Sequence, residues 1–563
     1  MEKAASLIEQ VLPRLPRVAI AGLLVALTLI AVLPAFTRLP PVDRDEARFA
    51  QVSKQMVISR NPIDIRFQDE DHYKKPIGIY WLQAATVELI GDSVDRVIWH
   101  YRLPSLAAVI VAVLLTARIA MSFGGPLAGL WAGTMMSGVF LFIAEGHLAT
   151  TDASLLASIL AAQTPLARLY RDARAREFLR ERITRLLPWE MVMFWGGLAA
   201  SILLKGPVGP MVVLTTLLLL AIGHRRVRWL AQLRPLIGVA VLLVLVMPWF
   251  VAITIKSGSA FWDASVGHDL MGKVVGAQES HGAPPGSYLA GLWLTFFPAS
   301  IALAIAIPAL WRGRSLPGIV FAAAWIVPSW IVFEASPTKL IHYVLPLYPA
   351  FAVAVALVWP QVTAKAPRLW QWIVAGLIAL LPIAVLVAIG VYALKLGMLP
   401  VLPVLPLLAG LALIVLGATL GVQALHHGHA SGAVFAFWVM GTGFGASAFD
   451  TVSRVPELWP APAITAYILP RKGCPAPPVV TDGYNEASLV FLAPGTKKAV
   501  DPEGVAAAMA ADRCTVGVVS DTVAFLAAAA AKGIAPKALG QFKGLNLGTG
   551  KKIDLTVYRF PQD

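Results

Sequence analysis

The most regular feature of the chain is a series of apolar stretches, each close to twenty residues long, of which the first covers residues 18–36. A helix of that length crosses a hydrocarbon layer of about 30 Å. Basic residues precede the first stretch and no small-residue cleavage site follows it, so we predict a retained span with a cytoplasmic N-terminus. Later stretches begin near Leu103, Pro126, Ala153, Trp189, Val208, Pro235, Tyr288, Pro317, Ile341, Trp370, Val401 and Ser431. The pattern predicts a polytopic α-helical membrane protein with about thirteen transmembrane helices.

Lys and Arg are unevenly distributed among the connecting segments. They collect in the loops that an alternating topology places in the cytoplasm, above all in the arginine run at residues 168–185. Short cytoplasmic loops of membrane proteins carry such an excess. We therefore interpret the net charge of +14 as a mark of topology and predict no nucleic-acid partner. An odd number of spans puts the C-terminus outside.

Two segments are too polar to cross a membrane, and both face outward in this topology. Residues 37–101 form an outer loop in which 45–59 and 77–90 are predicted to be amphipathic helices at the membrane surface. Residues 451–563 follow a transmembrane domain of residues 1–450 and predict a small extracytoplasmic α/β domain. Its predicted strands are 478–480, 489–492, 515–519 and 553–558, and its predicted helices are 503–511 and 522–531.

The chain has two cysteines, Cys474 and Cys514, which are too few for a thiolate zinc site. Both fall in the predicted outer domain, where oxidising conditions permit a disulfide. Two unpaired, small core residues are the alternative, because the sequence does not fix the distance between them.

Composition and motifs narrow the functional classes. Hydrophobic residues make up 58% of the chain and charged residues only 14%, which excludes an ordinary soluble enzyme. The sequence contains no GxxxxGK[ST] loop, no GxGxxG after a strand and no HExxH motif, so nucleotide hydrolysis has no visible machinery. The histidines lack a metal-ligand spacing, and we predict no metal site.

The densest group of ionisable side chains lies in the outer loop, at residues 43–48 and 69–75. On a helix that begins near Asp45, the carboxylate of Asp45 and the guanidinium of Arg48 are three residues apart and share a face. A carboxylate beside fixed cations can accept a proton from a hydroxyl while the cations hold a phosphate. We therefore predict that the group is functional. A solvated, self-compensating charged loop is the alternative for any single residue.

Further polar groups occur at the predicted outward ends of other spans. They are Glu145, Asp152, Lys205 and the segment that contains Lys339, His342 and Tyr343. Ionisable groups at membrane depth usually face a cavity, although each could instead be a capping or snorkelling group. We expect these groups to converge on one face of the membrane.

Four short motifs carry a specific resemblance. They are residues 41–49 (PVDRDEARF), 74–82 (KKPIGIYWL), 205–207 (KGP) and 339–349 (KLIHYVLPLYP). Together with the single span before the outer loop, they resemble the GT-C glycosyltransferases of the protein O-mannosyltransferase and aminoarabinose lipid A transferase group. Thirteen spans and an outer C-terminal domain are similar to the aminoarabinose branch.

The resemblance implies an enzyme that takes a sugar from a polyprenyl phosphate, of the undecaprenyl type, and joins it to lipid A or another envelope glycolipid. The reaction would occur at the outer face of a bacterial inner membrane, with the C-terminal domain in the periplasm. Its partners would be the polyprenyl-phosphate-linked donor, a glycolipid or protein acceptor and membrane lipids. The resemblance implies no obligatory cofactor and leaves divalent-cation dependence open.

The resemblance also assigns roles to individual residues. Asp45 would be the base or acceptor-orienting acid, and Glu46 the second acid of the paired motif. The donor phosphate, whose charge grows during transfer, would be held by Arg48, Lys75, Lys339 and Tyr343. The substrate site would also be lined by Lys74, Asp152, Lys205 and His342.

Two alternatives remain. A protein O-mannosyltransferase would share the donor chemistry and differ in its acceptor. A lipid or solute transporter would show inverted repeats and charges near the bilayer midplane, whereas here no repeat is visible and the charges gather at one face. Phe49 and Ile77-Gly78 depart from the family pattern, which bears on the substrate more than on the reaction.

Overall fold

The computed structural model describes residues 15–561 except for 92–95, 180–184, 225–226, 273–281, 396–400, 469–473, 494 and 500. Part of the arginine run used in the topology prediction, residues 180–184, therefore lies outside the described residues.

Long apolar helices form the main bundle. Their side chains bury one another or face outward as apolar surface, and a helix satisfies its own backbone hydrogen bonds, which suits both environments. The helices are Arg17–Val32, Ile98–Ser137, Asp152–Leu179, Pro188–Lys205, Val208–His224, Pro235–Ser257, Ser287–Thr295, Ala299–Arg312, Pro317–Ala335, Tyr348–Thr363, Leu369–Lys395, Val401–His426 and Ala430–Ser453. The largest apolar core lies among them, with Trp325, Tyr348 and Trp359 fully buried.

The number of membrane crossings follows from helix length and composition. Within the described residues, seven helices are long and apolar enough to span a membrane. An eighth span results if the bent pair Ser287–Thr295 and Ala299–Arg312 is one crossing. The membrane-protein class is confirmed, whereas the count of thirteen stays a prediction.

The helix Ile98–Ser137 is broken at Gly125, where φ is 79°. A glycine adopts this conformation without steric cost, and the following Pro126 has no N–H to donate. The two halves correspond to the predicted spans that start near Leu103 and Pro126. The sequence therefore marked this break correctly.

The segment between the first two long helices forms a compact layer over the bundle. It contains the helix Asp45–Ser59, the antiparallel strands β1 (Arg66–Phe67) and β2 (Glu70–Asp71), and the helix Gly78–Ile90. Phe49 and Tyr80 pack edge to face with 5.7 Å between ring centroids. They share an apolar core with Trp249 of the bundle, so the two predicted helices are confirmed and are anchored to it.

The C-terminal domain contains a five-stranded sheet of β3 (Val479–Thr481), β4 (Lys497–Lys498), β5 (Val516–Val519), β6 (Lys537–Asn546) and β7 (Lys551–Arg559). The strand order is β4-β3-β5-β7-β6, with β3 parallel to β4 and β5, and β7 antiparallel to β5 and β6. The helices Pro502–Ala511 and Thr522–Ala531 are capped by Asp501 and Asp521. Each carboxylate accepts a hydrogen bond from a backbone N–H of the first helical turn, which has no partner within the helix.

One predicted element of this domain is wrong. Residues 489–492 were expected to form a strand, but they belong to the helix Ala487–Leu492. An apolar run of four residues has no period that separates strand from helix, and packing decides it. Here Phe491 packs edge to face on Tyr101, with 5.3 Å between ring centroids. Strand β4, which is exposed, and strand β6, which has only two buried residues, were not predicted.

Cys474 and Cys514 form a disulfide with their Cα atoms 5.5 Å apart. Cys514 lies just before β5 and Cys474 shortly before β3. The disulfide therefore links the chain segments that precede the N-terminal ends of the neighbouring parallel strands β3 and β5.

The C-terminal domain also contacts the layer over the bundle. The Tyr484 hydroxyl donates to Asp43 Oδ2 at 2.8 Å, and the Ser488 N–H donates to Asp43 Oδ1 at 3.3 Å. Burial raises the pKa of Asp43, and these hydrogen bonds oppose the rise. Lys54, which is buried, donates from Nζ to the Phe491 carbonyl at 3.4 Å. The domain thus holds the chain segment directly before the helix Asp45–Ser59.

Candidate active site

A cavity of about 670 Å³ opens between the bundle, the layer over it and the C-terminal domain. It gathers residues that are far apart in the sequence. Those predicted for the site that line the cavity are Asp45, Glu46, Arg48, Lys74, Lys75, Asp152, Lys205, His342 and Tyr343. The convergence of these groups is a result of the tertiary structure and could not be read from any one motif.

Asp45 is the first residue of the helix Asp45–Ser59, and its side chain is exposed toward the cavity. It follows Arg44, which has a φ of 67° and turns the chain sharply into the helix. Within the described part of the chain, the Asp45 carboxylate forms no hydrogen bond or ion pair. A carboxylate in this position is free to meet a ligand.

Glu46, predicted as a second catalytic acid, has its carboxylate committed inside the protein. Both of its oxygens accept from Arg102, at 2.8 Å from Nε and 2.9 Å from Nη2. They also accept from the backbone N–H groups of Val42 and Ala149, each at 2.8 Å. A carboxylate that accepts from four donors is poorly placed to take up a proton, and here these contacts fix the chain next to Asp45.

Arg102, which sequence reasoning missed, is fully buried and contacts the segment that leads into the helix Asp45–Ser59. Besides Glu46, it donates to the carbonyls of Phe36, Leu39 and Pro40 at 2.7 to 3.0 Å. A single arginine at the start of a long apolar helix was the available signal, since burying such a charge is costly without partners. The network fixes the loop that precedes Asp45.

Arg48, Lys74 and Lys75 form a positive corner of the cavity. Arg48 lies one helical turn after Asp45, as predicted. Lys75 donates from Nζ to Asp269 Oδ2 at 2.6 Å, a partner in the loop of residues 256–287 that follows the helix Pro235–Ser257. The corner can hold an anion, and Asp269 supplies one from the protein itself.

His72 lies half-buried beside the same cations. Burial, and then the charges of Arg48, Lys74 and Lys75, lower the pKa of His72 to about 3. Its ring is therefore neutral at neutral pH. The direction of this shift is the one a positive potential produces.

A second polar group lines another part of the cavity. Lys205 Nζ lies 2.5 Å from Asp152 Oδ1 and 5.1 Å from the centre of the Tyr343 ring. His342 stands between two carboxyls, with Nε2 at 3.8 Å from Asp152 Oδ2 and Nδ1 at 4.0 Å from Glu145 Oε1. The motifs 205–207 and 339–349 therefore meet Asp152 and Glu145 around one charge cluster.

Lys339 is placed differently from its prediction. Its Nζ donates to the Ser336 carbonyl at 2.6 Å, and its neighbours Thr338 and Leu340 line the cavity instead. Because alternate residues of an extended segment point in opposite directions, Lys339 turns away from the wall that its neighbours form.

The C-terminal domain adds Glu486 to the cavity lining, a residue that sequence reasoning did not select. Asp43 and Arg44, from the charged group predicted in the outer loop, also line the cavity. Glu486 accepts from Asn546 Nδ2 at 2.9 Å. In the ranges that the structure describes, no group of three or more His, Cys, Asp or Glu side chains is placed to hold a metal ion.

The chemical capacity of the cavity follows from these contacts. Asp45 offers an uncommitted carboxylate a short distance along one helix from Arg48. Fixed cations next to such a carboxylate can bind a phosphate and stabilise charge that develops on it. The cavity thus combines an anion site with a base.

Comparison with known proteins finds similarity to mannosyltransferases and to arabinosyl transferases. The model of the family described as Dolichyl-phosphate-mannose-protein mannosyltransferase matches residues 74–251. An "Undecaprenyl phosphate-alpha-4-amino-4-deoxy-L-arabinose arabinosyl transferase" of Pseudomonas aeruginosa (strain LESB58) is 26% identical over 305 residues, covering 54% of this chain and 52% of that protein. The protein of the same name from Pectobacterium atrosepticum is 26% identical over 361 residues, 62% of each chain. The chain spans about half the length of the curated relatives it matches.

The similarity of structure extends further along the chain. The crystal structure of ArnT from Cupriavidus metallidurans bound to undecaprenyl phosphate covers 95% of this chain and 97% of its own, with a TM-score of 0.73 and 19% sequence identity. The same protein in the apo state gives a TM-score of 0.70. These matches establish the fold, including the small C-terminal sheet domain. In fold and in sequence, the chain is similar to glycosyltransferases of the GT-C type.

Proposed function

We propose that this protein transfers a sugar from an undecaprenyl-type polyprenyl phosphate to lipid A or another envelope glycolipid. The observation that carries the proposal is the cavity in which the uncommitted Asp45 faces the cations Arg48 and Lys75. The names of the sequence relatives support the donor, since they specify an undecaprenyl phosphate-linked aminoarabinose. A cavity at one end of an apolar bundle suits a donor whose head group is polar and whose tail stays in lipid.

In this proposal Asp45 orients the acceptor or removes its proton, and Arg48 and Lys75 hold the donor phosphate. The sugar–phosphate bond breaks as the acceptor oxygen bonds to the sugar, and the polyprenyl phosphate leaves with the bond's electron pair. Cations fixed in the cavity favour this step because the negative charge on the leaving phosphate grows. Lys75 binds the phosphate after it releases Asp269.

We place the reaction at the outer face of a bacterial inner membrane, with the N-terminus in the cytoplasm and residues 451–563 in the periplasm. The disulfide Cys474–Cys514 supports an oxidising location for the C-terminal domain. The contact between Tyr484 and Asp43 supports a shared side for that domain and the cavity. The proposed domain boundary falls near the end of the helix Ala430–Ser453.

A protein acceptor is the second candidate. It is favoured by the match of residues 74–251 to a family described as protein mannosyltransferases. Both candidates use a polyprenyl-phosphate-linked donor, so they differ only in the molecule that receives the sugar.

The test compares cells that carry the native chain, Asp45→Asn or Asp69→Asn at equal membrane levels. Asp69 is exposed on the β1–β2 turn and does not line the cavity, so Asp69→Asn changes the same charge without touching the site. Mass spectrometry of lipid A, other glycolipids and envelope proteins should show a sugar-sized mass that Asp45→Asn reduces by about 100-fold or more.

The fraction that carries the mass identifies the acceptor. A mass on protein would replace the glycolipid with the second candidate. If Asp45→Asn kept full transfer, the assignment of Asp45 would be wrong, and if no fraction changed with the native chain, a lipid or solute transporter would be the better hypothesis.

A further inference from the structure

Glu145 is a buried residue in the cavity wall. Its carboxyl group has no role in the proposed reaction. The residue lies on the short helix Phe140–Gly146, is 3% exposed and lines the cavity. Thr150 Oγ1 donates to its Oε2 at 3.0 Å. Its other oxygen, Oε1, faces His342 at 4.0 Å. Among the residues that the structure describes, Glu145 forms no ion pair with a lysine or arginine.

The charges around Glu145 disfavour an ionised carboxylate. Lys205, the lysine of the cluster, forms its short contact with Asp152 instead. Burial first, and then the negative charge of Asp152, raise the pKa of Glu145. Asp45 adds to this effect, while Thr150 and Lys205 oppose it. Glu145 and Asp152 thus both lie near Lys205 and His342, and Lys205 forms its ion pair with Asp152.

We propose that Glu145 acts in its neutral form as a hydrogen-bond donor to an anionic phosphate oxygen of the substrate in the cavity. This inference rests on the proposed function, since it needs a phosphate-bearing substrate. A neutral carboxyl donates a proton in a hydrogen bond without repelling the phosphate or Asp45. An ionised carboxylate at the same place would do both, so the protonation state of Glu145 decides whether the wall attracts or repels the ligand.

The phosphate has two possible sources, the polyprenyl donor and a phosphorylated glycolipid acceptor. Both present the same oxygen chemistry to Glu145. The two are separated by kinetics: loss of the hydrogen bond raises the KM for whichever substrate carries the contacted phosphate.

The experiment compares the native protein with Glu145→Gln and Glu145→Ala, purified in detergent. The amide of Gln is a permanent neutral donor, whereas Ala has none. We expect Glu145→Gln to stay within about threefold of the native transfer rate near neutral pH and Glu145→Ala to lose about tenfold or more, as for one hydrogen bond to a charged group. Titration with undecaprenyl phosphate alone, without transfer, provides a binding readout for the donor.

The pH dependence distinguishes a neutral donor from a structural role. Native Glu145 loses its proton as the pH rises through its raised pKa, so the affinity or rate should fall at alkaline pH. Glu145→Gln cannot ionise and should lack that component of the fall, measured against the native protein under the same conditions. The charged neighbours Asp45, Asp152, Lys205 and His342 are the same in both proteins.

Three results would overturn the inference. They are Gln losing as much as Ala at neutral pH, Ala keeping native activity, and identical alkaline profiles for the native and Gln proteins. Equal melting temperatures of the three proteins would show that the differences are not a folding defect. Failure of the native protein to transfer sugar would instead count against the proposed function.

Discussion

Charged side chains around the cavity are of two kinds: some are paired with an opposite charge inside the protein, and others extend their charge into the cavity. Arg102 and Glu46 neutralise each other inside the protein and position the backbone. Asp45 carries its charge into the cavity, and so it is available to a substrate. Two adjacent acids in one motif therefore have different roles, because one of them meets a buried arginine.

Arg102→Met should strongly destabilise the protein, because it leaves the Glu46 carboxylate buried without its cation. Breaking one side of a buried ion pair costs about 3 to 5 kcal/mol. The apparent melting temperature in detergent measures this loss. The double variant Glu46→Gln with Arg102→Met removes both charges and should melt higher than Arg102→Met alone. A double variant that melts no higher would count against an unpaired carboxylate as the cause.

His72 should make the folded protein sensitive to acid. Its pKa in the fold is about 3, below the ordinary value of 6.5, so between these values the unfolded chain binds a proton that the folded chain does not. The folded protein is therefore most stable, as far as His72 is concerned, above the ordinary pKa of histidine, and it loses stability as the pH falls toward 3. One proton contributes at most about 1.4 kcal/mol per pH unit. His72→Asn should flatten the decline of melting temperature below about pH 6.5, and an unchanged decline would contradict this origin.

At the scale of elements, two segments bring charged side chains to the cavity. The helix Asp45–Ser59 brings Asp45 and Arg48 to the cavity from its first turn. The π-helical segment Asp263–Met271 brings Asp269 to Lys75. The second element places a carboxylate where the proposed donor phosphate would bind, so the two anions compete for one lysine.

Asp269→Asn should therefore tighten donor binding. Without the carboxylate, Lys75 no longer has to exchange one anion for another, and we expect the Kd for undecaprenyl phosphate to fall about threefold to tenfold, equivalent to about 0.7 to 1.4 kcal/mol. Asp263→Asn is the matched control, because Asp263 is exposed in the same segment and does not line the cavity. Weaker binding by Asp269→Asn would mean that Asp269 positions Lys75 for the phosphate.

At the scale of the whole molecule, the C-terminal domain completes the cavity that the bundle begins. Tyr484 and Ser488 each donate a hydrogen bond to Asp43. Glu486, which lies between them in the sequence, lines the cavity. Arg44 also donates to the Gly548 carbonyl. The domain thus reaches the residues directly before Asp45, and its docking is coupled to the geometry of the site.

Tyr484→Phe tests this coupling, because it removes one donor from the partly buried Asp43 carboxyl and keeps the ring. An unsatisfied polar group of this kind costs about 1 to 3 kcal/mol. We expect easier proteolysis between the bundle and the C-terminal sheet, together with reduced transfer. Tyr467→Phe, at a partly exposed tyrosine of the same domain, is the control. Equal protease resistance of native and Tyr484→Phe proteins would show that this hydrogen bond does not hold the domain.

The sequence by itself determined the elements that depend on local pattern. The length of the apolar stretches predicted the bundle, and a mixture of apolar and polar residues predicted the helix Asp45–Ser59. The start of a new apolar stretch near Pro126 coincides with the break in a long helix. The motifs also gave most of the cavity's lining, because residue type and family resemblance are properties of the chain. These features need no knowledge of what packs against them.

Tertiary structure decided which charges are available for chemistry. Glu46 and Asp45 are neighbours in sequence, yet only a contact with Arg102, 56 positions away from Glu46, withdraws one of them from the cavity. Likewise, Lys75 meets Asp269, and residues 489–492 become helical where Phe491 packs on Tyr101. The free energy of a buried charge or an ambiguous apolar run depends on its partners in space, and those partners are fixed only when the chain folds.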